Sequence, residues 1–322
     1  MDRLTKLEHL ILSFNDLSGS PADILASLSK LKYLDVHDNR FGGSIDFVGT
    51  LNQVETLKLG MNSFTGSLPI SISRLLRLKY FDVHDNSLSG KIPHLDSLSS
   101  LETLLMFRNE ELSGTFPWTS FMNDTSLVDV DISISKLTGS LPSNFGELAS
   151  TLQYLRLIGA SLSGSIPDAI ADLSSLSVLG LGRNRLTGVI PSQLVWLSNL
   201  RVLQLQENPF STPFPDVGNM TALREVHMSN AQIEGTLPDS IWQLSELEVL
   251  DLAQNFIRGT LPATIGNMRS LKKLRLAIND FSGTIPVNIE DMESLKELHL
   301  DKSGLRGEIP AGLGQLSHLS KC

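Results

Sequence analysis

The stretch Leu247-Glu-Val-Leu250-Asp-Leu252-Ala-Gln-Asn255-Phe-Ile257-Arg-Gly259-Thr-Leu261-Pro262 decides the fold, because the chain keeps repeating it. Its skeleton is L-x-x-L-x-L-x-x-N-x-L-x-G-x-I/L-P. The same skeleton runs through Leu176, Leu179, Leu181, Asn184, Leu186, Gly188, Ile190 and Pro191. It returns as Leu271, Leu274, Leu276, Asn279, Phe281, Gly283, Ile285 and Pro286. From Leu7 to Leu319 the chain divides into thirteen such units with a mean period of 24 residues. A fixed period of this length is the mark of a solenoid, in which each unit buries its apolar side only by stacking on its neighbours.

Each column has a physical reason. Leu250-x-Leu252 is a short strand whose alternate side chains point inward. Stacked units would place these strands in one parallel sheet, roughly 4.8 Å apart, lining the concave side. The Asn column (Asn15, Asn39, Asn62, Asn86, Asn109, Asn184, Asn208, Asn255, Asn279) leaves the strand into a turn. There its amide can donate to and accept from backbone groups otherwise buried without partners. Glycine four residues later permits a left-handed turn. The following Pro fixes an extended backbone. The closing half, such as Asp239-Ser-Ile-Trp-Gln-Leu244, returns its apolar residues at near-helical spacing on the convex side. The Asn, Gly and Pro columns are therefore scaffold.

The L-x-G-x-I/L-P segment resembles the plant-type leucine-rich repeats of receptor-like kinases, receptor-like proteins and polygalacturonase-inhibiting proteins, over essentially the whole chain from Leu4 to Leu319. The fold expected is an α/β leucine-rich-repeat solenoid of about thirteen 24-residue repeats, with its parallel sheet on the concave side. The resemblance further implies a right-handed superhelix, a second, smaller sheet at the L-x-G-x-I-P segment, and ligands that are proteins, peptides or small hormones. Such ectodomains usually carry paired cysteines in caps at both ends, whereas this chain has one cysteine, Cys322. Residues 1–322 are accordingly read as a single repeat domain and a fragment of a longer array. Expressed alone, it is expected to fray or aggregate at both ends; two-state unfolding with well-protected terminal amides would contradict this.

A formal charge of −9 argues against nucleic acid, whose binders neutralise phosphates with Lys and Arg, and suits basic partners. No stretch approaches the ~18 apolar residues of a membrane span.

With the scaffold accounted for, recognition falls to the strand positions two, four and six places before the Asn, and to the residue directly before it. In the second unit these are Tyr33, Asp35, His37 and Asp38; two units on they recur as Tyr80, Asp82, His84 and Asp85. Lys58 lies between them, and Phe107, Arg108, Asp129, Asp131, Tyr154 and Arg156 follow. Exposed aromatics among charges are the composition of an interface hot spot. The expected ligand is an extended, partly basic peptide or a protein loop along this acidic half, with a co-receptor as a further partner. Arg156, Arg183, Lys273 and Arg275 shift the later half toward basic.

Between Leu101 and Leu176 the period breaks. One unit has an extra residue in Asn109-Glu-Glu-Leu112, and the next two have Ser135 and Ala160 in the Asn column; Ala231 and Ser303 are later substitutions. Three consecutive irregular units point to a change of curvature or a contact site.

The D-x-H-D pairs invite a metal reading, but equivalent side chains two strands apart are too distant to converge on one ion. No metal, cofactor or catalytic constellation is expected, since the serines fill turns and every glycine belongs to the repeat grid. Two sequons, at Asn123 and Asn219, are candidate glycosylation sites. The function expected is a non-catalytic binding module, the ligand-recognition part of a receptor-like protein or kinase, extracellular or secreted. A secreted inhibitor of a polygalacturonase-like enzyme and an intracellular repeat scaffold are the alternatives.

Overall fold

The structure, a computed structural model, describes residues 6–122, 126–147 and 151–321. The candidate glycosylation site Asn123 lies outside them. The chain forms two compact units, Met1–Leu162 and Ser163–Cys322.

In the first unit the L-x-L segments form seven parallel strands in chain order: His9–Ile11, Tyr33–Asp35, Thr56–Lys58, Tyr80–Asp82, Thr103–Leu105, Asp129–Asp131 and Tyr154–Arg156. Six do the same in the second: Val178–Gly180, Val202–Gln204, Glu225–His227, Val249–Asp251, Lys273–Arg275 and Glu297–His299. Each unit is therefore a solenoid of parallel strands, one to a repeat. The register never slips, because a one-residue shift would turn every Leu out of the core. Leu31, Leu34 and Val36 are fully buried, as are Leu247, Leu250 and Leu252 in the second unit.

The smaller sheet is present too. Arg40–Gly43, Ser63–Ser67, Ser87–Lys91 and Glu111–Thr115 pair in parallel in the first unit, and Ile233–Thr236, Phe256–Thr260 and Asp280–Ser282 in the second. Gly259 sits at φ +101°, which favours glycine, and a Cβ there would crowd the Thr236 methyl at 3.3 Å. Within the second unit this sheet breaks between Arg185–Leu186 and Thr212–Pro213. There Thr212 replaces the glycine, Ser211 takes the left-handed conformation (φ 53°), and Pro213 brings no N–H to the ladder.

Most return segments are 3-10 helices of three to five residues, such as Ile70–Arg74 and Asp239–Gln243. Ala22–Ala26 is the single α-helix among the described residues. Most returns place an Ile or Leu inward, as Ile72 and Ile241 do, while Asp46–Thr50 buries Phe47 and Val48 and Trp118–Phe121 buries Phe121. No helix among the described residues is long and apolar enough to cross a membrane.

The Asn column is scaffold. Asn109, fully buried, donates to the carbonyls of Val83 (2.9 Å) and Met106 (3.0 Å) and accepts from the Leu88 amide (3.0 Å). One amide thus ties its own turn to the preceding repeat. At two of the four positions where Asn is lost, the preceding turn bonds to itself instead. Opposite Ser135, the residue added to Asn109–Leu112 lets the Leu112 amide reach the Asn109 carbonyl at 3.0 Å. Opposite Ala231, the Phe210 amide reaches the Asn208 carbonyl at 3.1 Å. The insertion and the Ser135 substitution are thus one coupled change.

Candidate functional site

Strand pairing in the first unit turns the exposed positions into straight columns. Tyr33, Thr56, Tyr80, Thr103, Asp129 and Tyr154 stand in register; beside them run Asp35, Lys58, Asp82, Leu105, Asp131 and Arg156. The position before the Asn column is left-handed throughout, at φ 52° for Asp38, 47° for Asp85 and 54° for Arg108. Glycine is the ordinary occupant of that conformation, with Asp and Asn next, so Asp38 and Asp85 are compatible with it while Met61 and Arg108 do not announce it. Phe14 and Ile134 adopt it while exposed.

The acidic face is largely neutralised in place. Asp35 and Asp82 are each only 5% exposed. Their carboxylates accept hydrogen bonds from the backbone amides of His37 and His84 (3.3 and 3.0 Å) and meet the imidazole Nδ1 of the same residue at 2.7 and 2.6 Å. Arg156 pairs with Asp129 at 2.9 Å, stands 3.9 Å from Asp131, and lies over the Tyr154 ring at 5.1 Å. Arg108 reaches Asp85 at 3.4 Å. Lys58 reaches Asp35 at 3.9 Å with its ammonium between two rings, 5.7 Å from the centre of Tyr33 and 5.3 Å from that of Tyr80.

The structure thus brings the predicted residues together as Tyr33–Lys58–Tyr80, Asp35–His37, Asp82–His84, Asp85–Arg108 and Asp129–Asp131–Tyr154–Arg156. Phe107 stacks on His84, centroids 4.5 Å apart. Asp38 stands in the left-handed row at the edge of this face. Sequence reasoning misses His9, which stacks on Tyr33 at 6.0 Å, and Phe14, which packs edge-on against His37 at 4.3 Å. It also misses Gly60, where a Cβ would come within 2.4 Å of His84 Nδ1. The signal for Gly60 is its place in the histidine column, between His37 and His84. An open cleft of about 660 Å³ adjoins the site at the inserted residue, lined by Asn62, Asp85, Asn86, Ser87, Arg108, Glu110, Glu111 and Ile134.

Burial opposes the charged form of His84. The hydrogen bond to Asp82 and the charges of Asp82, Asp85 and Asp131 overcome it and raise the imidazole pKa. Burial raises the carboxyl pKa of Asp129 and Asp131, with Arg156 opposing in both cases. A group raised in the folded state contributes stability fully present below its unfolded pKa, 6.5 for His84, and lost as pH rises through the folded value. Urea midpoints should therefore fall from pH 6 to pH 8, and His84→Gln should remove much of that slope. An unchanged slope in the variant would disprove the assignment.

Among the described residues no group of three His, Cys, Asp or Glu is placed to hold one metal ion. In the second unit two of the cations predicted there are paired as well: Arg183 with Glu207 at 2.9 Å, and Arg275 with Asp251 (3.2 Å) and Glu297 (2.8 Å). The hydrogen bond from Arg275 holds the Glu297 carboxyl down to about 2.

Residues 200–321 match the family model of a leucine-rich repeat region, and residues 6–28 that of a leucine rich repeat. The crystal structure of a TDR receptor superposes with a TM-score of 0.90 at 32% identity, over 99% of this chain and 56% of that one. The Arabidopsis receptor kinase HAESA, in complex with the peptide hormone IDA and the co-receptor SERK1, gives 0.80 and 29%, over 98% and 57%. The plant peptide hormone receptor RGFR1, in complex with RGF2, gives 0.83 and 30%, over 98% and 55%. The chain is a plant-type leucine-rich-repeat protein. This leucine-rich-repeat chain spans a little over half the length of the receptors it matches.

Proposed function

We propose that this leucine-rich-repeat protein is a non-catalytic module that binds a protein or peptide on the main-sheet face of its first unit, read here as the concave face. The observation that carries this reading is the register column of Tyr33, Tyr80 and Tyr154, each beside a cation or carboxylate already in place. Large amphipathic side chains held rigid in this way lose little entropy on binding, which is what hot-spot residues require. The peptide hormones in complexes of its structural relatives support a peptide as the ligand. By the same likeness the module is the ligand-recognition part of a receptor-like protein or kinase on the extracellular side of a membrane. A co-receptor is its second partner, and Asn219, exposed in its sequon, is its glycosylation site.

Because Asp35, Asp82, Asp129 and Asp131 are already paired, charge serves ligand selection and the aromatic column supplies contact area. A displayed random-peptide library selected on the intact chain tests this. Tyr80→Ala should weaken the selected peptides about 30-fold, in line with about 2 kcal/mol for a hot-spot aromatic. Trp196→Ala, on an exposed return segment, should change affinity less than twofold. The opposite pattern would place binding elsewhere.

A further inference from the structure

The sheet geometry makes a slot between Tyr33 and Tyr80. Both stand in register with Thr56, one on each side. Strands two apart are about 10 Å apart, so a cation midway lies about 5 Å from each ring, within cation–π range of both. The floor is the short side chain of Thr56, so the space above it would be open. Lys58 fills it. Its backbone pairs with Asp35 and Asp82, one position along, yet its ammonium lies 5.7 and 5.3 Å from the two ring centres. The Asp35 carboxylate, 3.9 Å away, supplies the counter-charge. Two aromatic walls, a small floor and a buried carboxylate are the parts of a cation-binding cage, and here the chain supplies its own occupant.

We infer that the Tyr33–Tyr80 slot is a subsite for a lysine or arginine side chain of the ligand, and that Lys58 is a resident cation which that side chain displaces. This rests on the peptide-binding reading and adds a regulatory consequence. The energy of expelling Lys58 is subtracted from the affinity for every basic ligand, which favours ligands that bring further contacts along the column over isolated cations. On leaving, Lys58 gives up its contacts with both rings and with Asp35, and its flexible stem carries the ammonium into solvent.

The test uses tetramethylammonium chloride on the full chain, against sodium chloride at equal ionic strength, with binding read from broadening of the probe's proton resonance. Lys58→Ala should bind the probe at least tenfold more tightly than the parent, and Tyr33→Leu in that background should abolish the gain. Lys58→Met removes the charge but still fills the slot, so it should gain less than threefold. Thermal unfolding of each variant establishes that it is folded, and Lys58→Ser replaces Lys58→Ala if the latter is not. Equal binding by parent and Lys58→Ala, a gain that survives Tyr33→Leu, or an equal gain in Lys58→Met would each overturn the inference. Since no natural ligand is used, failure here leaves the Tyr80→Ala peptide result standing, and the reverse also holds.

Discussion

Asn255→Ala is expected to destabilise the second unit by about 4 kcal/mol, a large share of the 5–15 kcal/mol that holds a folded domain. The side chain donates to the carbonyls of Met228 (2.8 Å), Leu252 (2.9 Å) and Ala253 (3.2 Å). Its oxygen accepts from the amides of Ala231 and Ile233, both at 3.0 Å. The Leu252 carbonyl keeps a second donor in Asn279. Truncation therefore strands mainly two amides and the Met228 carbonyl, each at about 1–3 kcal/mol, partly relieved if water enters. Asn255→Asp keeps an acceptor for the Ala231 and Ile233 amides but sets a buried carboxylate oxygen against the Met228, Leu252 and Ala253 carbonyls, so it should rescue little. Because a solenoid is coupled repeat to repeat, amide exchange should accelerate around residues 225–280 and leave the strand amides of residues 33–105 protected. A loss below about 1 kcal/mol in urea unfolding would show that the Asn column is not what ties the repeats together.

Trp242→Ala should cost a similar amount, about 4 kcal/mol. Trp242 is 1% exposed and heads the largest fully buried side chains. It lies on the 3-10 return Asp239–Gln243, where the skeleton of the chain calls only for a modest apolar residue. Its removal leaves a cavity in a layer one repeat thick, whose backbone is held by parallel strands and cannot collapse inward. Trp242→Phe should cost less, about 1–2 kcal/mol, by conserving most of the volume. Thermal melts of the three proteins give the comparison. Equal midpoints for Ala and Phe would mean that the site relaxes freely.

Strand positions, the inward Leu columns and the role of Asn109 or Asn255 are legible in the sequence because each is fixed by contacts within a repeat or by its period. The exposed columns are legible for the same reason: a strand alternates with period two, so Tyr33, Asp35 and His37 must share a face. What those residues do to one another is not. Lys58 meets Tyr33 and Asp35 from the repeat before and Tyr80 from the repeat after, and the tilt of a lysine stem across strands leaves no periodic trace. The same holds for Arg156, which turns back to Asp129 instead of facing a ligand. Thus the sequence shows an acidic face, and the structure a mostly paired one. The left-handed row escaped because only some of its residues, such as Asp38 and Asp85, are of a type that favours positive φ, whereas Phe14, Met61, Arg108 and Ile134 are not. The coupling of Ser135 to the inserted residue before Leu112 becomes visible only when both ends of one hydrogen bond are known.

The measurement that bears most directly on the central claim is hydrogen–deuterium exchange of the intact chain with and without a library-selected peptide. Slowed exchange confined to the first unit's main-sheet strands and the turns that follow them, between residues 33 and 159, is the result this account requires. Protection confined to the 3-10 returns or to the second unit, with residues 33–38 and 80–85 unchanged, would contradict it.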